Sequence, residues 1–292
     1  MIPLCLVTGF LGSGKTTLLR NLAGSRAGQG LVFLVNDFGA IDVDGALMRE
    51  ADCRVVSVAG GSIFCRCLVT EFIRVLRELP PRFDPAGVVV EASGIADPRV
   101  VRKMLSETGL DRTYDLRTVV TVIDPGQLLK LIHTLPNIRT QIEAADLVLV
   151  NKEDLHPLAT IEAAEAEIAA IHPGVRTLRC VQCRADLDPF AQGGASRGDG
   201  DYAPCVDPNY ARFTIPGERV SADDLRAGIE QLGDDIYRLK GFIGGGPETH
   251  YIDYAGGTLN MRPATEVSIP VIVVIARGGA KQQVQDWINQ LT

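Results

Sequence analysis

Eight residues near the start of the chain, Gly9-Phe10-Leu11-Gly12-Ser13-Gly14-Lys15-Thr16, constrain its fold more than any other stretch. Glycine, four residues, then Gly-Lys-Thr is the phosphate-binding loop pattern, which has meaning only between a buried strand and a helix. Both neighbours are in the sequence: residues 2–8 form a short apolar run of strand length, and residues 15–22 read as a helix. The glycines let backbone N–H groups close on a polyphosphate, and the positive end of the helix faces the same charge. The nucleotide-binding set is therefore Gly9, Gly12, Ser13, Gly14, Lys15, Thr16 and Thr17. Lys15 is expected to reach the outer phosphates and Thr16 to give its hydroxyl to a magnesium ion.

The loop demands a parallel sheet, and the next part of the chain supplies one. Unbroken apolar runs at residues 31–35, 87–90, 119–123 and 147–150 are the mark of parallel strands covered on both faces. Helix-length segments at 68–79, 98–107 and 158–171 separate them. This alternation predicts an α/β fold, a P-loop doubly wound, mostly parallel sheet with ligands beyond the carboxyl ends of the strands. From residue 184 to 208 the composition turns to Asp, Gly, Ser and Pro and reads as a linker. Beyond it, alternating Ala211, Phe213 and Ile215 open a run of strands and two helices, which predicts a small α+β C-terminal domain with a mostly antiparallel sheet. The expected division is 1–183, linker 184–208, and 209–292.

Composition narrows the partners. A net charge of −7 argues against nucleic acid, which needs a basic face to displace counterions, and no apolar run reaches the roughly 18 residues of a membrane span. Residues 1–4 lead into the first apolar run with no basic start or cleavage site, so a cytoplasmic location is expected. Seven cysteines in irregular positions suit a reducing compartment, as core residues, ligands or reactive thiols.

The remaining chemistry falls just after the apolar runs. Asn151-Lys152-Glu153-Asp154 fits the Asn-Lys-x-Asp pattern of guanine recognition. Guanine shows two N–H donors on one edge, which the Asp154 carboxylate can accept as a pair, and a carbonyl for the Asn151 region to satisfy. Adenine presents an acceptor there and leaves the carboxylate unpaired, so Asn151, Lys152 and Asp154 complete the nucleotide set with guanine as the base. Glu91 ends the 87–90 run and precedes Gly94, whose amide can meet the outer phosphate. Asp37 ends the second run. Thr16, Asp37 and Glu91 are the expected magnesium set, and Lys15, Asp37 and Glu91 the catalytic one. Cys180 and Cys183 read as packing or incidental thiols, and the four histidines as scattered.

Taken together, these residues resemble the CobW-type family of metal-trafficking GTPases, in the class that also holds the hydrogenase and urease nickel-insertion GTPases. The resemblance is carried by residues 9–17, Asn36-Asp37-Phe38-Gly39, residues 91–98, Thr121-Val122-Ile123-Asp124, residues 141–146 and Asn151-Lys152-Glu153-Asp154. It implies slow hydrolysis of GTP to GDP and phosphate, coupled to delivery of zinc, cobalt or iron to a client apo-metalloprotein or corrinoid-pathway protein, with GTP-dependent pairing of two copies. The family's Gly-Cys-x-Cys-Cys cluster is altered here to Gly61-Ser62-Ile63-Phe64-Cys65-Arg66-Cys67. Cys65 and Cys67 are the candidate transition-metal ligands, and they would need help from Asp37, Asp42, a second copy or the client to fill a zinc shell. The alteration leaves a second expectation open, a nucleotide-switched interaction GTPase with no metal cargo.

Overall fold

The computed structural model describes residues 1–26, 30–37, 54–59, 69–191, 209–218, 220–244, 249–264 and 270–291. The chain divides into two compact units, one holding the described residues up to 191 and the other those from 209 onward.

The first unit is built on seven parallel strands in the order β3-β2-β4-β1-β5-β6-β7. They are β1 (Ile2–Thr8), β2 (Leu31–Asp37), β3 (Arg54–Ala59), β4 (Gly87–Glu91), β5 (Tyr114–Ile123), β6 (Leu147–Val150) and β7 (Arg176–Arg179). Its helices are α1 (Lys15–Arg26), α2 (Val69–Phe83), α3 (Val100–Glu107), α4 (Pro125–Leu131), α5 (Pro136–Glu143) and α6 (Leu158–Ile171). Side chains alternate across a strand, and the apolar runs feed two cores on that account. Leu4 and Leu6 of β1 join one core with Val32, Val88, Phe72 and Met104. Cys5 and Val7 join the other with Leu18, Leu19, Phe33 and Leu149. In α2 the buried residues Phe72, Val75, Leu76 and Leu79 follow helical spacing, and the Tyr114 hydroxyl donates to Leu76 O at 2.6 Å.

The predicted parallel sheet is present, with two strands beyond the five apolar runs. Both lie at sheet edges. β7 is mostly exposed and reads Arg-Thr-Leu-Arg, so it lacks the two-sided hydrophobicity that marks a central strand. A correction falls on the linker, because residues 184–191 pack on the first unit: Leu187 is buried in the second core, with Ala185 and Phe190 against it. Their polar composition hid three apolar anchors.

The second unit is a five-stranded antiparallel sheet in the order β11-β10-β9-β12-β8, as the alternating pattern predicted. Its strands are β8 (Tyr210–Pro216), β9 (Ile236–Ile243), β10 (His250–Ala255), β11 (Thr258–Pro263) and β12 (Val271–Arg277), with helices α7 (Ala222–Leu232) and α8 (Lys281–Leu291). Ser221 and Asp224 form a reciprocal capping box at the start of α7. Gly228 lets the two helices close, since a Cβ there would lie 2.2 Å from Trp287 Cε2. Among the described residues no helix is long and apolar enough to cross a membrane.

Candidate functional site

The carboxyl ends of β1, β4, β5, β6 and β7 share one edge of the parallel sheet, and the sequence-singled residues collect there. The chain leaves β1 through Gly9, whose φ of +134° and whose distance from Val122 admit only glycine: a Cβ would lie 2.1 Å from the Val122 carbonyl oxygen. Gly12 and Gly14 also have positive φ, +75° and +120°. The loop thereby curls around Lys15, which is 6% exposed and donates from Nζ to Gly9 O at 2.9 Å and Phe10 O at 3.1 Å. Ser13 is buried and its hydroxyl has no hydrogen-bond partner among the described residues. Thr17 is exposed on the first turn of α1.

Thr16 and Glu91 meet, Thr16 Oγ1 donating to Glu91 Oε1 at 3.0 Å, across 75 residues of sequence. Glu91 is 3% exposed at the end of β4. A hydroxyl and a carboxylate side by side at the phosphate loop are hard oxygen donors of the kind magnesium takes, so the residues present fit that ion. Asp37 closes β2, whose register pairs it with Ala59, and its side chain lies outside the described residues. Cys65 and Cys67 also lie outside them.

Gly94 sits directly on the phosphate loop, where a Cβ would fall 2.6 Å from Leu11 Cδ2 and 2.7 Å from Leu11 N. The loop that carries it is latched from behind. Gln141, fully buried on α5, donates from Nε2 to Gly94 O at 3.1 Å and Ala96 O at 3.2 Å, while Thr121 Oγ1 donates to the Gln141 carbonyl at 2.8 Å. Asn137 adds a longer bond to Gly94 O at 3.4 Å. Gln141 was visible in the sequence only as part of a stretch of resemblance, and its role needs the fold.

The 151–154 loop follows β6 and touches the phosphate loop itself. Asn151 is 2% exposed. Its Nδ2 donates to Ser13 O at 2.8 Å and its Oδ1 accepts from Cys183 N–H at 2.8 Å. The side chain thus ties the phosphate loop, its own loop and the turn at Cys183 together. Lys152 adopts a left-handed φ of 63° and its ammonium binds Asp124 Oδ2 at 2.7 Å. Asp124 is 6% exposed and also accepts from Gly126 N–H, Gln127 N–H and His156, so His156 is part of a cluster and not an isolated histidine. Asp154 is exposed.

Sequence reading missed the turn after β7. Gln182 and Cys183 both have positive φ, 51° and 53°, and curl the chain back so that Cys183 reaches Asn151 and the phosphate loop. Val181 and Gln182 are left exposed next to Asn151. Their backbone N–H groups make no hydrogen bond among the described residues, which leaves two donors available for a base carbonyl. The signal for this turn is the Cys180–Cys183 spacing, which by sequence alone reads as packing or incidental thiols. Both thiols are buried, Cys180 Sγ 3.6 Å from Asn151 Oδ1 and Cys183 Sγ 3.3 Å from Gly14 O. The neighbouring Cys183 holds Cys180 below the ordinary thiol range, while Cys180 and burial push Cys183 up.

Comparison with known proteins adds a family to this geometry. The description "CobW/HypB/UreG, nucleotide-binding domain" matches residues 3–179, more than half of the chain. The chain is 30% identical over 204 residues to the zinc chaperone CobW of Pseudomonas aeruginosa, covering 59% of this chain and 54% of that one. It is 34% identical over 153 residues to the zinc chaperone YeiR of Escherichia coli, covering 51% and 46%. With the zinc-regulated GTPase metalloprotein activator 1 of Dictyostelium discoideum it shares 26% over 234 residues, covering 66% and 48%. The chain thus spans about half the length of the curated relatives it matches.

Proposed function

The chain belongs to the CobW/HypB/UreG family through its nucleotide-binding domain, and from that premise we propose that it is a magnesium-dependent GTPase that uses GTP binding and slow hydrolysis to deliver a transition metal to a client protein. The observation that carries the nucleotide part is Asn151: its bond to Ser13 O sets the Asn-Lys-x-Asp loop directly against the phosphate loop, so one ligand with a guanine at one end and phosphates at the other spans both.

In this reading Lys15 exchanges the carbonyls of Gly9 and Phe10 for the outer phosphates, and the loop amides around Gly14 take the rest of the charge. Magnesium, when bound, neutralises charge on the phosphates; Thr16, Glu91 and Asp37 are the residues that would hold it. Glu91 orients the Thr16 hydroxyl, and Gly94 offers its amide toward the terminal phosphate from a loop that Gln141 keeps in place. Asp154 accepts from the guanine edge, with Val181 and Gln182 N–H as donors to its carbonyl. In this reading positioning and electrostatics do most of the work, and no general base is assigned among the described residues. The test is Lys15→Ala, which abolishes guanine-nucleotide binding by calorimetry if the reading is right; tight binding by the variant sinks it.

The metal part rests on the relatives, two of which are named zinc chaperones, and on Cys65 and Cys67. Zinc is the first cargo to test, with cobalt and iron next, and the client is an apo-metalloprotein or corrinoid-pathway protein docking on one copy or a GTP-dependent pair. Ser62 and Phe64 in the thiolate cluster favour a second reading, a GTPase switch without cargo. Cys65→Ser combined with Cys67→Ser separates the two: a carrier loses zinc-dependent change in GTP turnover, and a pure switch keeps its turnover profile.

A further inference from the structure

The sulfur pair at Cys180 and Cys183 stands at the joint of the site. The Cys183 thiol lies 3.3 Å from Gly14 O, in donating geometry, and a Cβ on Gly14 would approach its sulfur to 2.8 Å. The Cys180 thiol points at Asn151 Oδ1, 3.6 Å away, the same oxygen that accepts from Cys183 N–H. Each thiol therefore touches a different loop, Cys183 the phosphate loop and Cys180 the asparagine that ties that loop to the guanine side. The two residues between them, Val181 and Gln182, are exposed, so the pair lies one residue beneath solvent. A groove of about 630 Å³ opens beside Cys183, lined by Leu18, Asn21, Leu22 and Ser25 of α1 and by residues 184–187.

We propose that Cys180 and Cys183 form a redox-active dithiol whose oxidation by a low-molecular-weight disulfide loosens the guanine-nucleotide site. The chemistry is two exchange steps. The Cys180 thiolate attacks one sulfur of the small disulfide, forming a mixed disulfide and releasing one small thiol. Cys183 then gives its proton to the small thiolate released in the first step, attacks the Cys180 sulfur and releases the second. The protein loses two protons and two electrons, and the small disulfide is reduced to two thiols. Cys180 is the attacking partner because its thiol, beside Cys183, is held below the ordinary range, whereas Cys183 is pushed up.

The consequence follows from where the two protons were. Oxidation removes both S–H donors, so the contacts to Gly14 O and Asn151 Oδ1 are lost together. Closing an S–S bond of about 2 Å also draws the Cys183 sulfur toward Cys180 and off the phosphate loop. Cys5, the other described cysteine, offers no such route: it is fully buried in β1 and its thiol is pushed far above the ordinary range by that burial. The effect on affinity rests on the nucleotide reading above, whereas the disulfide itself does not.

Two readouts on the full chain keep these apart. After treatment with oxidised glutathione, then alkylation and trypsin, residues 180–184 fall in one peptide, because Arg179 and Arg184 flank the pair. That peptide is expected two hydrogens lighter and without alkyl groups, and doubly alkylated if the protein is first treated with a thiol reductant. GDP affinity is expected to fall about tenfold or more in the oxidised protein and to recover on reduction. Cys180→Ser and Cys183→Ser are each expected to remove the response to oxidant, whatever their basal affinity. Double alkylation after oxidant treatment overturns the dithiol, and a disulfide that leaves GDP affinity unchanged overturns the switch. Failure of the reduced protein to bind GDP overturns the nucleotide reading and with it the switch, while the alkylation count still decides the disulfide.

Discussion

Asp154 is exposed and has no hydrogen-bond partner among the described residues, unlike Asn151 and Lys152, whose polar groups are committed to Ser13, Cys183 and Asp124. Base selection should therefore rest on this one carboxylate and on the N–H groups of Val181 and Gln182. Replacing Asp154 by Asn turns one acceptor into a donor, which repels the guanine edge and suits xanthine, whose carbonyl stands where guanine has its amino group. Asp154→Asn is expected to weaken GTP binding by about 10²-fold or more and to favour xanthosine triphosphate. Competition between the two nucleotides measures this, and unchanged preference for GTP would remove Asp154 from the site. Asn151→Ala should fail differently, losing affinity for both nucleotides alike, because its bonds hold loops and not a base.

At the scale of elements, the joint between β5, α5 and β6 fixes the loop behind the phosphate site. Gln141 latches that loop, and Asp146, just before β6, accepts from Val119 N–H at 2.8 Å. Burial raises the Asp146 pKa above its ordinary 3.8, opposed by the Val119 hydrogen bond and by Arg102 and His172. A carboxylate with a raised native pKa contributes stability that is fully present below its unfolded pKa and lost as pH rises through the native one. Asn at this position keeps the acceptor and carries no charge at any pH. Asp146→Asn is thus expected to raise the melting temperature near neutral pH, by an amount that shrinks as the pH falls through the raised native pKa of Asp146. Paired thermal melts of both proteins test this, and a gain that grows on acidification contradicts it.

For the whole molecule, the two units have separate cores: the first carries two, one on each face of the parallel sheet, and the second carries its own between an antiparallel sheet and two helices. Every described residue of the candidate nucleotide site belongs to the first. A chain of residues 1–191 is expected to fold and to bind GDP within about threefold of the full chain. The cut is placed after Ala191, not at 183, because Leu187 and Phe190 cover the first unit and the Thr118 hydroxyl bonds the Ala191 carbonyl. A truncation at 183 should be less stable in urea; equal midpoints for the two truncations would show that the 184–191 segment contributes nothing.

What the sequence determined by itself was whatever depends on residues close together along the chain. The phosphate loop needs glycines at set spacing, a central parallel strand needs an unbroken apolar run, and the guanine pattern needs four consecutive residues, so all three were legible without coordinates. The same local logic gave the antiparallel second sheet. Tertiary structure alone decided which of those residues touch. Asn151 meets Ser13 across 138 positions, Lys152 meets Asp124 across 28, and Cys183 meets Gly14 across 169. No spacing rule reaches so far, because these contacts arise only when the parallel sheet aligns the carboxyl ends of its strands on one edge. Cys180 and Cys183 show the difference most plainly: as a sequence they were two thiols after a strand, and the left-handed turn at Gln182 and Cys183 makes them a buried pair with Cys183 against the loop at Gly14.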